Sequence, residues 1–296
     1  MANELSRKGF AVRATSNPVF KNLPRQEAGY ATFGSAAAGA GQLGYQYGQQ
    51  PPQQYPPQPQ PYPQAPTRSL TIDDVVTKTG ITLGVLALSA LVSYLLTSAN
   101  NALAPMFVIG GGLIGLVLVL IATFGRKMDN PAIVLAYSVA EGVFVGALSF
   151  MFTDFDFGGS GGAALIGQAV LGTFGVFAGM LVVYKTGAIR VTPRFTRMLI
   201  GAMIGILVLV IGNLVAGFFT DGGFGLRDGG PVAIIFSLVV IAVAAFSFLL
   251  DFDAADQLIR AQAPPKAAWG VALGLTVTLV WLYIEILRLL SYFQSD

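Results

Sequence analysis

Four acidic residues stand inside or at the edge of long apolar runs. Glu141 lies in AYSVAEGVFVGALS, Asp251 and Asp253 close the run in FSFLLDFDAADQLIR, and Glu285 lies in VWLYIEILRLL. Glu285 precedes Arg288 by three residues, which puts both on one face of a helix. A charged side chain at the centre of a bilayer costs roughly 2.5–3.5 kcal/mol or more, so such residues persist only for a reason. Carboxylates clustered in low dielectric raise each other's pKa, titrate as a unit and attract cations once ionised. The chemistry they suggest is a proton-sensitive cation gate. Each has a plainer reading: an interhelix hydrogen bond for Glu141, a solvated helix end for Asp251 and Asp253, and a neutral pair with Arg288 for Glu285. Tyr137, Gln168 and Asn213 are lesser polar positions in the same apolar surroundings.

Composition narrows the choice of chemistry further. Of 296 residues, 54% are hydrophobic and 11% charged, and the mean hydropathy is +0.67. An ordinary soluble domain carries roughly a quarter charged residues, so a water-soluble enzyme is not the default. With no Cys and no His there is no disulfide framework, Cys/His zinc site, thiol nucleophile or imidazole base. No hydroxyl–base dyad serves hydrolysis, no lysine in the last apolar run can hold a retinal Schiff base, and no paired central aspartates suit intramembrane proteolysis. The chain is expected to be neither an enzyme nor a cofactor carrier. A net charge of +2 implies no nucleic-acid partner.

The elements that must position the acids are membrane spans. Seven apolar blocks, at 80–98, 104–124, 131–153, 163–184, 196–219, 231–250 and 267–291, each approach the ~20 residues that cross a hydrocarbon core about 30 Å thick. They are separated by turn-forming breaks such as Asp129-Asn130-Pro131, Thr192-Pro193 and Pro264-Pro265. The expected fold is an all-α seven-transmembrane-helix bundle; the first two blocks also admit a re-entrant hairpin. Glycines four residues apart, Gly111/Gly115, Gly142/Gly146, Gly175/Gly179, Gly201/Gly205 and Gly270/Gly274, predict close helix packing within the bundle. Folding the last two spans back about Pro264-Pro265 puts Asp251 level with about residue 278, roughly 10 Å short of Glu285. A direct pair therefore needs a kink, a tilt or another partner, for which Glu141 is the candidate.

Residues 1–69 differ in kind. Their Gly/Gln/Pro/Tyr-rich stretch cannot bury enough apolar surface to offset chain entropy, so a disordered cytoplasmic tail is expected. It reads as a solvated tether, or else as a docking segment whose Tyr/Pro tract engages a protein partner. No continuous apolar stretch of a secretory signal occurs in it.

Three segments carry a resemblance to a known family. AEGVFVGALS at 140–149, LLDFDAADQLIR at 249–260 and above all WLYIEILRLL at 281–290 resemble the Bax inhibitor family of multipass membrane proteins. SNPVF at 16–20 and the tail composition resemble a bacterial branch of it, while the resemblance proper covers about 70–296. It implies seven spans and a pH-sensitive calcium leak, in which an acid at the end of the sixth span and one in the seventh share protons and close the pore, helped by an arginine latch. The sixth-span acid would then be Asp251 or Asp253 and the seventh Glu285, here Glu instead of Asp, with Arg126 and Arg288 as candidate latches. Calcium rests on the resemblance, because oxygen ligands suit several hard cations and name no metal. The expected partners are the bilayer, protons and that cation; the other reading is a non-conducting scaffold whose tail recruits partners.

Basic residues set the expected orientation. Lys78, Arg126, Lys127, Lys185, Arg190, Arg194, Arg197, Arg260 and Lys266 fall on one side of the seven spans. The other side holds Asn100-Asn101, Asp154, Asp156, Asp221, Arg227, Asp228 and Asp296. The positive-inside rule places the amino terminus in the cytoplasm and the carboxyl terminus outside a plasma membrane. Since the chain has no cysteine, single introduced thiols report the orientation directly. Asn101→Cys is expected to react with a membrane-impermeant maleimide on intact cells and Lys127→Cys only after permeabilisation; the reverse labelling overturns the orientation.

Overall fold

Thr71 starts the first helix through a capping box. Its Oγ1 accepts from the Asp74 amide at 3.4 Å while Asp74 Oδ2 accepts from the Thr71 amide at 3.1 Å. Two amides that the first turn would otherwise leave unpaired are thereby satisfied. Helix α1 (Ile72–Ala99) thus begins well before the apolar block at 80. In the computed structural model, which describes residues 68–156, 162–220 and 223–294, six further long helices follow. They are α2 (Leu103–Phe124), α3 (Pro131–Asp156), α4 (Gly162–Thr186), α5 (Pro193–Ala216), α6 (Pro231–Arg260) and α7 (Ala268–Gln294), the last preceded by a 3-10 turn at Pro265–Ala267. All described residues belong to one compact unit, 61–296. The tail expected over 1–69 lies outside the described residues except for 68 and 69, as do Asp221 and Asp296 and the side chains of Asp154 and Asp156.

Seven helices are long and apolar enough to cross a membrane, and no strand occurs among the described residues. α3, α5 and α6 each open on a proline, whose missing N–H and fixed φ suit the first helical turn. α1 and α2 are separate full-length helices, so the re-entrant hairpin does not form. α5 stops at Ala216 instead of 219, where residues 217–219 turn. α6 runs on to Arg260 instead of ending at 250. Its extension contains helix formers such as Ala254, Ala255 and Leu258 and an Asp256–Arg260 pair at 2.8 Å, and nothing interrupts it before Pro264.

α7 is the central helix, packed by α1, α3, α4 and α6, while α2 lies chiefly on α3 and α5 on α6. Phe248, Leu273, Leu282 and Leu287 are fully buried around it, and Phe177, Phe248 and Phe252 form a ring cluster between α4 and α6. The outer helices expose Leu88, Ile109, Leu171 and Leu207, as lipid-facing helices do. One end of the bundle gathers the start of α1 and two loops. The Leu70 amide donates to the Ala263 carbonyl at 2.8 Å, Lys78 Nζ to the Pro265 carbonyl at 2.5 Å, and Lys266 pairs with Asp129 at 2.7 Å. The Lys266 hydrogen bond holds the Asp129 carboxyl below the usual carboxylate range. Lys185 and Arg190 reach this same basic end, lining a cavity with the start of α1 and the end of α6.

Glycine decides how closely α1, α2 and α3 approach. A Cβ on Gly111 would lie 2.8 Å from the Phe144 amide nitrogen and 2.9 Å from the Ala140 carbonyl; on Gly142 and Gly146 it would collide with Ser89 and with the Ala90 carbonyl. The pairs Gly175/Gly179 and Gly201/Gly205 correct the expectation of internal packing, because a Cβ there meets nothing within 4 Å. α4 and α5 are peripheral, so part of each perimeter has no helix against it. Gly142→Ala is expected to destabilise by about 1–3 kcal/mol through overpacking, despite alanine's helix preference. Gly205→Ala is expected to hold or raise the denaturation midpoint in detergent; equal shifts in the two variants contradict this packing.

Candidate functional site

Glu285 sits on the face of α7 turned to the first turns of α6 and is only 3% exposed. Ser237 Oγ donates to its Oε1 at 2.8 Å and Arg288 Nη1 donates to its Oε2 at 2.6 Å. Three residues of separation on one helix bring the guanidinium over the carboxylate, and both oxygens are satisfied. The Arg288 side chain is itself only 12% exposed, so the pair is a desolvated one. Charge burial of this kind is tolerable only with a partner and hydrogen bonds of good geometry.

The α5–α6 loop closes over this pair. It turns through Gly223, Gly225 and Gly229, whose φ of +68°, +71° and +82° favour glycine, and it is anchored where the Phe224 amide donates to Asn213 Oδ1 at 2.8 Å. Gly229 brings the backbone against Tyr292: a Cβ there would lie 3.6 Å from the ring. The Tyr292 hydroxyl is buried with no hydrogen-bond partner among the described residues. Arg227 of the loop is close enough to feel both Arg288 and Glu285; partial burial, then the Arg288 charge, pull its pKa below the ordinary arginine value.

Asp251 lies within α6, not at its end, and accepts from Thr278 Oγ1 at 2.7 Å. Its other oxygen approaches the bare backbone of Gly274, where a Cβ would stand 3.4 Å away. The bond falls on the residue that folding back about Pro264-Pro265 puts level with Asp251, and Asp251 does not reach Glu285. Asp253 points elsewhere. It accepts from Gln257 Nε2 at 2.6 Å and, with Asp256 and Tyr184, lines a cavity of about 1000 Å³ at the basic end.

Glu141 occupies the α2-facing side of α3, next to buried Tyr137, in space that Gly115 leaves open. A Cβ on Gly115 would fall 2.6 Å from Glu141 Oε2. α3 and α7 both start at the basic end, and the 2.8 Å bond between Ser149 Oγ and Tyr283 Oη fixes their register. Counting down from that bond puts Glu141 roughly ten residues, or about 15 Å, below Glu285 and near the level of Asp251. Glu141 is therefore not the partner of Glu285. Arg126 is not the residue over a carboxylate either: it lies exposed in the α2–α3 loop with φ 53°, at the opposite end from Glu285. Arg288 alone of the two latch candidates contacts an acid. No three acidic side chains gather into a metal site among the described residues.

The family described as Bax inhibitor 1 like matches residues 17–295. The chain belongs to that family. The match extends well before residue 70, so the resemblance read over 70–296 continues into the tail. No curated protein matched the chain. In this Bax inhibitor 1 like protein the sixth- and seventh-helix acids are separately housed, Asp251 with Thr278 and Glu285 with Ser237 and Arg288, which corrects the shared pair implied by the resemblance. Distance along the helices is the reason.

Sequence reasoning missed Ser237 and Arg227. Ser237 is a lone hydroxyl in an apolar stretch of α6, and Arg227 is the one basic residue among loops that are otherwise acidic or uncharged. Both signals were visible, but neither names its partner. Arg288→Ala is expected to leave Glu285 unpaired and lower stability by about 3–5 kcal/mol, whereas Glu285→Leu with Arg288→Met restores much of it. Chemical denaturation in detergent measures both; an Arg288→Ala variant as stable as the parent excludes a desolvated pair.

Proposed function

We propose that this chain is a proton-sensitive cation leak channel or exchanger, with calcium as the cation and the α6–α7 seam as the gate. The enclosed Glu285–Arg288–Ser237 network supports this most directly, since two charges buried in the central helix are held by a balance that one proton upsets. Protonating Glu285 removes the charge that holds Arg288 and turns one of the two accepting oxygens into a donor. Arg288, left without its counter-charge in a buried place, then favours an arrangement that reaches water, and α6 and α7 part.

Asp251 with Thr278 lies further along the same seam, Glu141 lies near its level, and Asp253 stands in the wide cavity at the basic end. Ionised carboxylates and hydroxyls are the oxygen ligands that hard cations take. In this reading the basic end faces the cytoplasm, the protein resides in the plasma membrane and it carries out no bond-breaking chemistry.

Liposomes containing the full chain and a trapped calcium indicator test the proposal. Calcium flux is expected to change as the bath is acidified from neutral pH, and Glu285→Gln is expected to abolish that dependence. Flux absent from both forms overturns the transport reading in favour of a non-conducting scaffold whose tail recruits partners. A pH response unchanged in Glu285→Gln removes Glu285 from the gate.

A further inference from the structure

α1 and α4 both pack on α7 and leave a groove between them. Its upper part is a cavity of about 450 Å³ bounded by Leu86, Ala87 and Tyr94 of α1, Ile166 and Val170 of α4, and Tyr283 of α7. The Ser149 and Tyr283 hydroxyls that reach this cavity are bonded to each other. Leu91 and Phe174, also on its walls, are 56% and 50% exposed, so the groove opens sideways toward the surrounding hydrocarbon. Leu83 lines both this cavity and the one of about 1000 Å³ at the basic end, which makes them neighbouring parts of one groove.

The charges at the lower end are unevenly matched. Asp256 is paired with Arg260 at 2.8 Å, whereas Asp253 accepts from the neutral Gln257 at 2.6 Å and keeps its charge. Lys185 and Arg190, on the same cavity wall, make no ion pair among the described residues. Two cations without an ion pair thus outnumber the one carboxylate without one, and an apolar slot open to lipid that ends beside them suits an amphiphile with a negative head. A soluble anion would leave the slot unfilled, and a zwitterionic head would bring its own cation to Lys185 and Arg190.

We propose that the α1–α4 groove binds one phospholipid with an anionic headgroup, its phosphate at Lys185 and Arg190 and one acyl chain running past Leu83 toward Val170. The site does not involve the seam that holds Glu285, although its lower end shares with the transport reading the cavity that Asp253 lines, and lipid retention is measured without reference to ion flux.

Native mass spectrometry of the detergent-purified full chain tests the site, with phosphatidylglycerol and phosphatidylcholine of identical acyl chains. One phosphatidylglycerol is expected to be retained, favoured over phosphatidylcholine by about fivefold for a net excess of one cation near an anionic head. Lys185→Gln with Arg190→Gln is expected to bring the two lipids near parity, and because both positions are exposed the fold is not at stake. Ala87→Trp, on the groove wall, is expected to displace both lipids, and excess inorganic phosphate is expected not to compete. Equal binding of the two lipids to the parent, a preference surviving the double substitution, or undiminished lipid in Ala87→Trp overturns the proposal.

Discussion

A carboxylate and a guanidinium, both withdrawn from water, are held on the central helix of a membrane bundle. Neither is tolerable there alone, and their mutual attraction is adequate only because Ser237 completes the carboxylate's hydrogen bonding. The position of α6 against α7 is tied to this arrangement, since the serine comes from one helix and the charges from the other. α7 in turn is the helix on which α1, α3, α4 and α6 converge. A local electrostatic balance thereby acquires a structural reach that no exposed ion pair among the described residues has; the Lys266–Asp129 contact, by contrast, is open to water and salt.

The two flanks of the bundle are built differently. On the side of α1, α2 and α3, backbones approach so closely that glycine is required at Gly111, Gly142 and Gly146, and dispersion contacts over short distances hold the helices. On the side of α4 and α5, large side chains and open glycines leave gaps, and α5 touches little besides α6. The tight flank is a rigid support for α7.

Much of this was legible in the sequence because the controlling signals are local. Apolar length, proline starts and turn-forming breaks define seven helices without reference to anything distant. The proline pair between α6 and α7 even gave the register that sets Asp251 beside Thr278. What escaped depends on contacts between elements far apart in the chain. The level of Glu141 follows from a Ser149–Tyr283 bond that nothing in either segment announces, and Ser237 is one hydroxyl among apolar neighbours until Glu285 meets it. The glycine pattern is equally ambiguous, because the same spacing is packed tight in α3 and bare in α5. The end of α6 was misjudged for a simpler reason: polarity begins at Asp251, yet polarity does not stop a helix, and proline does.

The start of α1 is fastened to the turn between α6 and α7 by the Leu70–Ala263 and Lys78–Pro265 bonds. That turn is the hinge from which the helices bearing Asp251 and Glu285 diverge. The first described residues thus fasten both to α1, through Arg68 and Asp74 at 2.7 Å, and to the turn that joins α6 and α7. The start of α1 is therefore linked, through that turn, to both helices that carry the acids.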